Sequence, residues 1–561
     1  MTRTAVDPAR SLTILLTAAA VLLPLGLVAW QSLLSAPFFM PDKSIGLDAF
    51  RFIFDDADFA GAFKNSLLLA CGMAIIAVPL GGVLAFLMVR TDLPGRTLIE
   101  PLVMVPIFLS PLVLGFGYVV ATGPVGFYTL WAQSLLGLSE APWNVYAYSS
   151  IVVIAGLTHV PHVYLYTSTA LRSLPSDLEE AARCAGAKPW QVALHVSLPM
   201  VLPALLYAGV LVFFLGFEVF GLVLVLGDPE GHLVLPTYLY KLTNKLGTPS
   251  YHLMAAVAVC IVGVTLPLVM LQRLLLKSAN KYASIGGKGG RQRPLPLGAW
   301  RWPAAGVIAA WLAFSIFVPL SGLILRSFVS GWGEGVHLLE VLTVEHFRDV
   351  ADSQTALNAI VNTVLIGVVG GALTVACYAA IGLAAHRRND GWTRLLDYLV
   401  MLPRAVPGLL AGLAFLWVFL FFPPLAPLRT TIFSVWLAYS VVWLAYGMRL
   451  VSSALLQVAP ELEEAARISG ANRARSTRDV TLPLIRYGLL GSWLLMFLIF
   501  EREYSTGVYL LGPGTEVVGS MLVSLWGSGA LDQVAALAVI NVALVCVGLG
   551  LALRFGINLR H

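Results

Sequence analysis

The sequence predicts an all-α polytopic membrane protein, with twelve transmembrane helices arranged as two homologous six-helix halves of the same orientation. Three observations carry that expectation. The first is composition: 58% of the 561 residues are hydrophobic and only 12% are charged, and the mean hydropathy of +0.84 lies far above that of soluble domains. The second is a series of apolar runs, each near the ~20 residues a helix needs to cross a bilayer. The third is a duplication: LEEAARCAGAKPWQVALHVSLP, from Leu178 to Pro199, returns 284 residues later as LEEAARISGANRARSTRDVTLP, from Leu462 to Pro483.

The first six runs are Ser11 to Leu34, Asn65 to Val89, Pro101 to Thr122, Tyr148 to Leu171, Val201 to Leu226 and His252 to Leu275. Six more follow at Pro303 to Leu325, Ala359 to Ala385, Leu396 to Phe422, Thr431 to Leu450, Leu484 to Tyr504 and Val534 to Leu553. The first run follows Arg3 and Arg10 as a signal peptide would, but it is long and lacks a small-x-small cleavage site, so it reads as a retained span. Placing both termini in the cytoplasm puts 25 of the 35 Lys and Arg in cytoplasmic segments, as the positive-inside bias requires. Six runs separate the two repeated segments, so both lie on that same side. The net charge of +5 follows from this bias and from anionic lipid headgroups, without nucleic acid.

The basic, Gly- and Pro-rich stretch from Lys277 to Pro303 is too polar to bury and marks the boundary. The expected organisation is a first half over 1–276, a linker over 277–302 and a second half over 303–561, with the repeated loops at 172–199 and 453–483. A second register, 297 residues apart, relates LVMVP at Leu102 to Pro106 with LVMLP at Leu399 to Pro403. Asn65-Ser66 and Asn362-Thr363 share that register, so the second half is 13 residues shorter before its loop. The loss is assigned to the external segment, Gly123 to Ala147 against Phe422 to Arg429. Two like halves imply a pseudo-twofold axis along the membrane normal and a pathway between them.

Each loop reads as a short helix over Leu178 to Gly186, with Ser176 or Asp177 as its cap and acidic residues in its first turn, where they suit the helix dipole. Gly186 and Gly470 end or bend these helices and permit close backbone approach. Ala181, Ala182, Ala465 and Ala466 leave a smooth face, while Glu180 and Glu464 offer charge to a basic partner.

The spacing resembles the EAA motif of bacterial ABC importer permeases: Glu180-Ala181-Ala182, Gly186, Val196, Leu198-Pro199, and again Glu464-Ala465-Ala466, Gly470, Val480, Leu482-Pro483. The resemblance implies a fused pair of permease domains with the type I ABC importer fold, in the bacterial inner membrane. Each loop would be a coupling helix seated in a groove of an ATP-hydrolysing subunit. An ABC ATPase dimer beneath the membrane and a substrate-binding protein above it are the implied partners, with transport by alternating access. No GxxxxGK[ST] phosphate loop occurs on the chain, since Gly286-Gly287-Lys288-Gly289 has the wrong spacing. ATP is therefore hydrolysed elsewhere, and the chain calls for no cofactor.

Ionisable residues within spans usually face a cavity or a partner. Arg404, about eight residues into its run and so roughly 12 Å deep, reads as a pore residue or as half of an ion pair. Glu218, Glu501 and Glu503 follow their Leu-Pro pairs by roughly eighteen to twenty residues, about 25 to 30 Å along a helix. They read as a wetted gate, a binding-protein contact or interfacial charges. His159 and His162 flank Pro161 and suit a kink bonded to backbone better than a metal site. The five cysteines show no CxxC spacing, and no metal site is expected. The external stretches Leu226 to Gly247 and Leu510 to Gly529 resemble those of the ferric-iron importer group, making ferric iron the first substrate expectation and phosphonate, thiamine or a polyamine the alternatives. An ion-coupled secondary transporter would instead rely on intramembrane carboxylates and would not need the paired loops.

Overall fold

The computed structural model describes residues 8–174, 177–244, 250–283, 294–333 and 336–554. Ser176 and the basic centre of the linker, 284–293, lie outside the described residues. Helices dominate, and among the described residues extended pairing is limited to three isolated bridges.

Among the described residues, ten helical segments are long and apolar enough to cross a membrane. They are Pro8–Ser32, Ala57–Arg90, Pro111–Leu136, Tyr148–Ser173, Trp190–Gly216, Tyr251–Gln272, Gly298–Ser327, Gln354–Ala385, Arg473–Arg502 and Leu531–Leu551. Counting each bent pair as one broken span brings the number to twelve: Gly391–Ala405 with Gly408–Phe421, at 111°, and Pro423–Thr430 with Ile432–Val442, at 98°. Counted in chain order, these are the first to twelfth spans.

Proline chemistry explains where the spans depart from the expected runs. The third does not begin at Pro101, because a separate helix, Arg96–Phe108, ends before extended Leu109 and Ser110, and Pro111 opens the next helix. A proline cannot donate to the helix and biases the residue before it away from helical geometry. In the ninth span, Leu402–Ala405 is a 3₁₀ turn containing Pro403, Val406 is extended, and Pro407 precedes the restart at Gly408. Arg404 therefore does not sit eight rungs up a straight helix, and the 12 Å depth expected for it does not follow. The fifth span ends at Gly216 rather than Leu226; the short helix Gly221–Gly227 follows a break holding Glu218.

The shorter second half is visible in the segments expected to be external. Phe127–Leu136 forms a helix in the first half, where the second has only the 3₁₀ stretch Pro423–Thr430.

The opening span of each half packs against both halves. Pro8–Ser32 packs on its own sixth span but also on the eighth and ninth of the other half. The seventh span packs on the twelfth and crosses to the third. There, a Cβ on Gly117 would stand 2.6 Å from the Pro319 carbonyl, and one on Gly322 would stand 2.6 Å from Ala121 Cβ, so only glycine permits this backbone approach. Tyr118 Oη donates to the Phe314 carbonyl at 2.6 Å, and Trp311 Nε1 donates to the Leu157 carbonyl at 3.1 Å. Arg10 at the start of the first span forms two 2.6 Å bonds with Asp390.

Candidate coupling loops and transmembrane seam

The two repeated loops fold alike to the level of single hydrogen bonds. The helices Asp177–Cys184 and Pro460–Ile468 carry Asp177, Glu179 and Glu180, or Glu461 and Glu463, in their first turns. Gly186 and Gly470 each adopt φ +87°. Ala187 N–H reaches back to the Ala182 carbonyl and Gly186 N–H to Arg183; Ala471 to Ala466 and Gly470 to Arg467 repeat the pattern, all at 2.9 to 3.0 Å. This is a Schellman closure, which places the left-handed residue just past the helix.

After the glycine the chain enters a short helix and then a π turn, Ala193–Ser197 in one copy and Thr477–Thr481 in the other. Leu198-Pro199 and Leu482-Pro483 then open the fifth-span helix and its eleventh-span equivalent. The proline supplies no N–H and crowds the carbonyl four residues back, a conflict that a one-turn π bulge absorbs.

Glu180, Ala181, Glu464 and Ala465 are exposed, while Ala182 and Ala466 are partly covered. Leu178, Trp190, Leu462 and Ile468, the last 88% exposed, leave apolar surface beside them. Such a face, acidic at one end and apolar beside it, fits a groove on another protein.

Sequence reasoning missed the residues that hold these helices down. Glu179, one position before the motif glutamate, turns inward. Its carboxylate meets Arg90 at 3.3 Å, with side chains 10% and 3% exposed, and accepts from Ser197 Oγ at 2.7 Å. Arg90 also donates to the Leu174 carbonyl. In the second half Glu463 meets Arg387 at 3.3 Å, accepts from Thr481 Oγ1 at 2.7 Å, and bonds His386 Nε2 at 2.9 Å. Arg387 donates to the Val458 carbonyl at 2.6 Å. Burial favours the neutral acid at Glu463, yet the bonds from Thr481, His386 and Arg387 together outweigh it and hold the carboxyl below its usual range. The signal was present: Glu179 and Glu463, Ser197 and Thr481 keep the 284-residue register, and Arg90 and Arg387 keep the 297-residue one.

Among the intramembrane candidates, Arg404 lies at the seam between halves. Arg404 donates to Gln272 of the sixth span at 3.3 Å, and Thr265 donates to the Ala405 carbonyl at 2.5 Å, so the broken ninth span is pinned to the first half. Phe214, Val269 and Ala405 form a small apolar cluster there. Arg502, read from sequence only as lying at a span end, donates across the seam to the Ile107 carbonyl. By the two registers Glu218 corresponds to Arg502, and Ile107 to Arg404. Glu218 lies within electrostatic reach of Arg404 and Glu503.

Glu503 and Glu501 are engaged within the second half. Glu503 accepts from Trp443 Nε1 at 3.1 Å and from Ser505 and Thr506 at 2.7 to 3.0 Å, anchoring the turn after the eleventh span. Glu501 is buried and accepts from Asn541. His159 and His162 stack at 5.2 Å, and His159 Nδ1 contacts the Ala155 carbonyl at 2.7 Å, the backbone-bonded arrangement expected of a kink. Among the described residues no group of three or more His, Cys, Asp or Glu converges on a metal position.

An all-helical membrane protein of two like lobes, with matched loop helices, has the architecture of a type I ABC importer permease. The chain belongs to the family of inner membrane components of binding-protein-dependent transport systems, whose pattern matches it twice, over residues 77–281 and 372–556. It is 23% identical over 470 residues to a ferric transport system permease protein of Actinobacillus pleuropneumoniae, covering 82% of this chain and 66% of that one. An Fe(3+)-transport system permease protein of Haemophilus influenzae is 23% identical over 469 residues, 83% of this chain and 84% of its own length. A molybdenum transport system permease protein of Escherichia coli is 27% identical over 208 residues, covering 37% of this chain and 87% of that one.

Proposed function

We propose that this chain is the permease subunit of an ATP-driven importer of ferric iron, with both termini in the cytoplasm of a bacterial cell. Its two halves rock to open the seam alternately to either side. A dimer of separate ATPase subunits seats the helices Asp177–Cys184 and Pro460–Ile468, and an extracytoplasmic binding protein delivers the solute to the opposite face. The observation that carries this reading is the matched pair of exposed loop helices, each closed by a glycine at φ +87° and each presenting Glu-Ala-Ala. A helix that merely capped its bundle would not need an exposed acidic and apolar face in duplicate.

Iron is supported by the ferric relatives that align with most of the chain and by the resemblance of the external segments. In this reading the binding protein selects the ion, so the permease needs no metal-ligand cluster of its own. Arg404 and Glu218 line the seam as pathway residues; Glu501 and Glu503 support its outer end.

The test is purification of the tagged full chain from its own cells, together with ⁵⁵Fe uptake by cells with and without its gene. An ATPase subunit should copurify, and iron uptake should fall in the deletion and return on complementation. Absence of any ATPase, with uptake that persists when ATP is depleted, would assign the chain to ion-coupled transport. Copurification with unchanged iron uptake would leave the importer and remove iron, with phosphonate, thiamine and polyamine uptake as the next measurements.

A further inference from the structure

We infer that Arg90, Glu179 and Ser197, and their counterparts Arg387, Glu463 and Thr481, are positioning clamps that make each loop helix move as one body with the spans around it. The inference rests on the proposed docking of an ATPase at those helices, and concerns how a push there reaches the membrane.

Each loop helix is short, eight or nine residues, and is followed by a glycine with no atom within 4 Å of where its Cβ would stand. Such a helix, held only by its chain ends, would swivel under load. The clamp removes that freedom by tying four elements to one carboxylate and one guanidinium. In the first half these are the end of the second span through Arg90, the end of the fourth through the Leu174 carbonyl, the loop helix through Glu179, and the start of the fifth through Ser197. In the second half Arg387, the Val458 carbonyl, Glu463 and Thr481 repeat every bond.

Helix geometry divides the labour between adjacent glutamates. Successive residues are turned about 100° around the helix axis, so Glu179 faces the bundle when Glu180 faces out. The Arg90–Glu179 pair, with side chains 3% and 10% exposed, resists separation because removing either partner strands a buried charge; in the second clamp Arg387 is more exposed, and Glu463 is held by Thr481 and His386 as well. The arginine fork can also bond a carboxylate and a carbonyl together, which lysine cannot match in geometry. The arginines are supported differently: Leu295 of the linker donates to the Arg90 carbonyl at 2.8 Å and accepts from Asp92 N–H at 3.2 Å, whereas Arg387 takes φ +55° and its neighbour His386 bonds the Glu463 carboxylate. That two dissimilar supports lead to the same clamp is the strongest sign that the clamp itself matters.

The test uses the full chain in membrane vesicles with the ATPase that copurifies with it. A single reporter, Phe214→Cys at the seam, is placed in a background where Cys71, Cys184, Cys260, Cys377 and Cys546 are serine. Labelling by a membrane-impermeant maleimide is compared with and without ATP plus vanadate. The Glu179→Gln, Glu463→Gln double variant should bind the ATPase at the parental level, while the nucleotide-dependent change in labelling falls by about fivefold or more, the lower range of typical coupling factors. The charge exchanges Arg90→Glu with Glu179→Arg and Arg387→Glu with Glu463→Arg should restore part of that change, because the ion pair returns while the bonds to the Leu174 and Val458 carbonyls do not, a rescue that nonspecific damage would not allow. A parental labelling change in the Gln variant, loss of ATPase binding by that variant, or no rescue by exchange would overturn the inference. If the parental chain itself binds no ATPase, the proposed function fails first, and the clamp as a coupling device falls with it.

Discussion

Glu463 and Gly470 show how much of the second loop's geometry is set by single residues. Because bonds from Thr481, His386 and Arg387 hold the Glu463 carboxyl below its usual range, its contribution is complete above the unfolded carboxylate value. It is lost only as pH falls through the depressed folded value. Proteolysis at the second loop in detergent should therefore stay constant from pH 7 down to about 4, near the ordinary glutamate range, and accelerate below it. Acceleration already between pH 7 and 5 would show that Glu463 does not secure the loop. Gly470 poses a separate question, since its φ of +87° costs an ordinary L-residue about 1–2 kcal/mol although no neighbouring atom would clash. Asparagine tolerates that conformation and valine does not. Gly470→Asn should thus keep most uptake and Gly470→Val should lose it several-fold at equal membrane content, as read by uptake and immunoblot; equal loss in both would point to close partner approach rather than backbone geometry. The motif residues themselves were legible in the sequence because duplication at fixed spacing is a strong signal. The clamp residues share that spacing, but Arg90 and Ser197 lie 89 residues before and 18 after Glu179 in character and place, and only folding joins them.

At the scale of elements, apolar periodicity located the spans and prolines decided their shape. The runs at Tyr148 to Leu171 and His252 to Leu275 fold as expected because no second proline interrupts them. The ninth run did not, since Pro403 and Pro407 stand four residues apart and together withdraw two donors from one turn. Hydropathy registers neither the bend of 111° nor the resulting position of Arg404 against Gln272. A residue at such a bend senses motion of both arms. Arg404→Ala should therefore lower transport without releasing the ATPase, and Arg404→Lys, which keeps the charge but shortens the reach to Gln272, should recover only part of it. Transport assays paired with copurification distinguish these results; wild-type transport by Arg404→Ala would reduce the residue to a structural support. The break after Gly216 was hidden for a different reason, because Gly221 to Gly227 remains apolar after the helix ends and is buried within the protein rather than facing lipid.

On the scale of the molecule, what holds the two halves together is the crossing of their opening spans, which composition could not disclose because it depends on which bundle each helix joins. The first span lies on the eighth and ninth, the seventh on the third, and the contacts at Gly117 and Gly322 are too close to admit any side chain. Lipid tails solvate leucine as well as another helix does, so association within a bilayer depends on close packing and interhelical hydrogen bonds. Both are present at this interface, in the Tyr118 bond to Phe314, the Trp311 bond to Leu157, and the Arg10 pairing with Asp390. The covalent linker should then be dispensable for assembly, serving chiefly to fix stoichiometry and to support Arg90 through Leu295. Expressed as two chains, residues 1–283 and 294–561 should assemble in the membrane, and a tag on either should recover both after mild detergent extraction. Arg10→Glu alone should weaken that recovery, and Arg10→Glu with Asp390→Arg should restore it. Two halves that insert normally yet never copurify would mean that the linker, rather than the crossed spans, joins the protein.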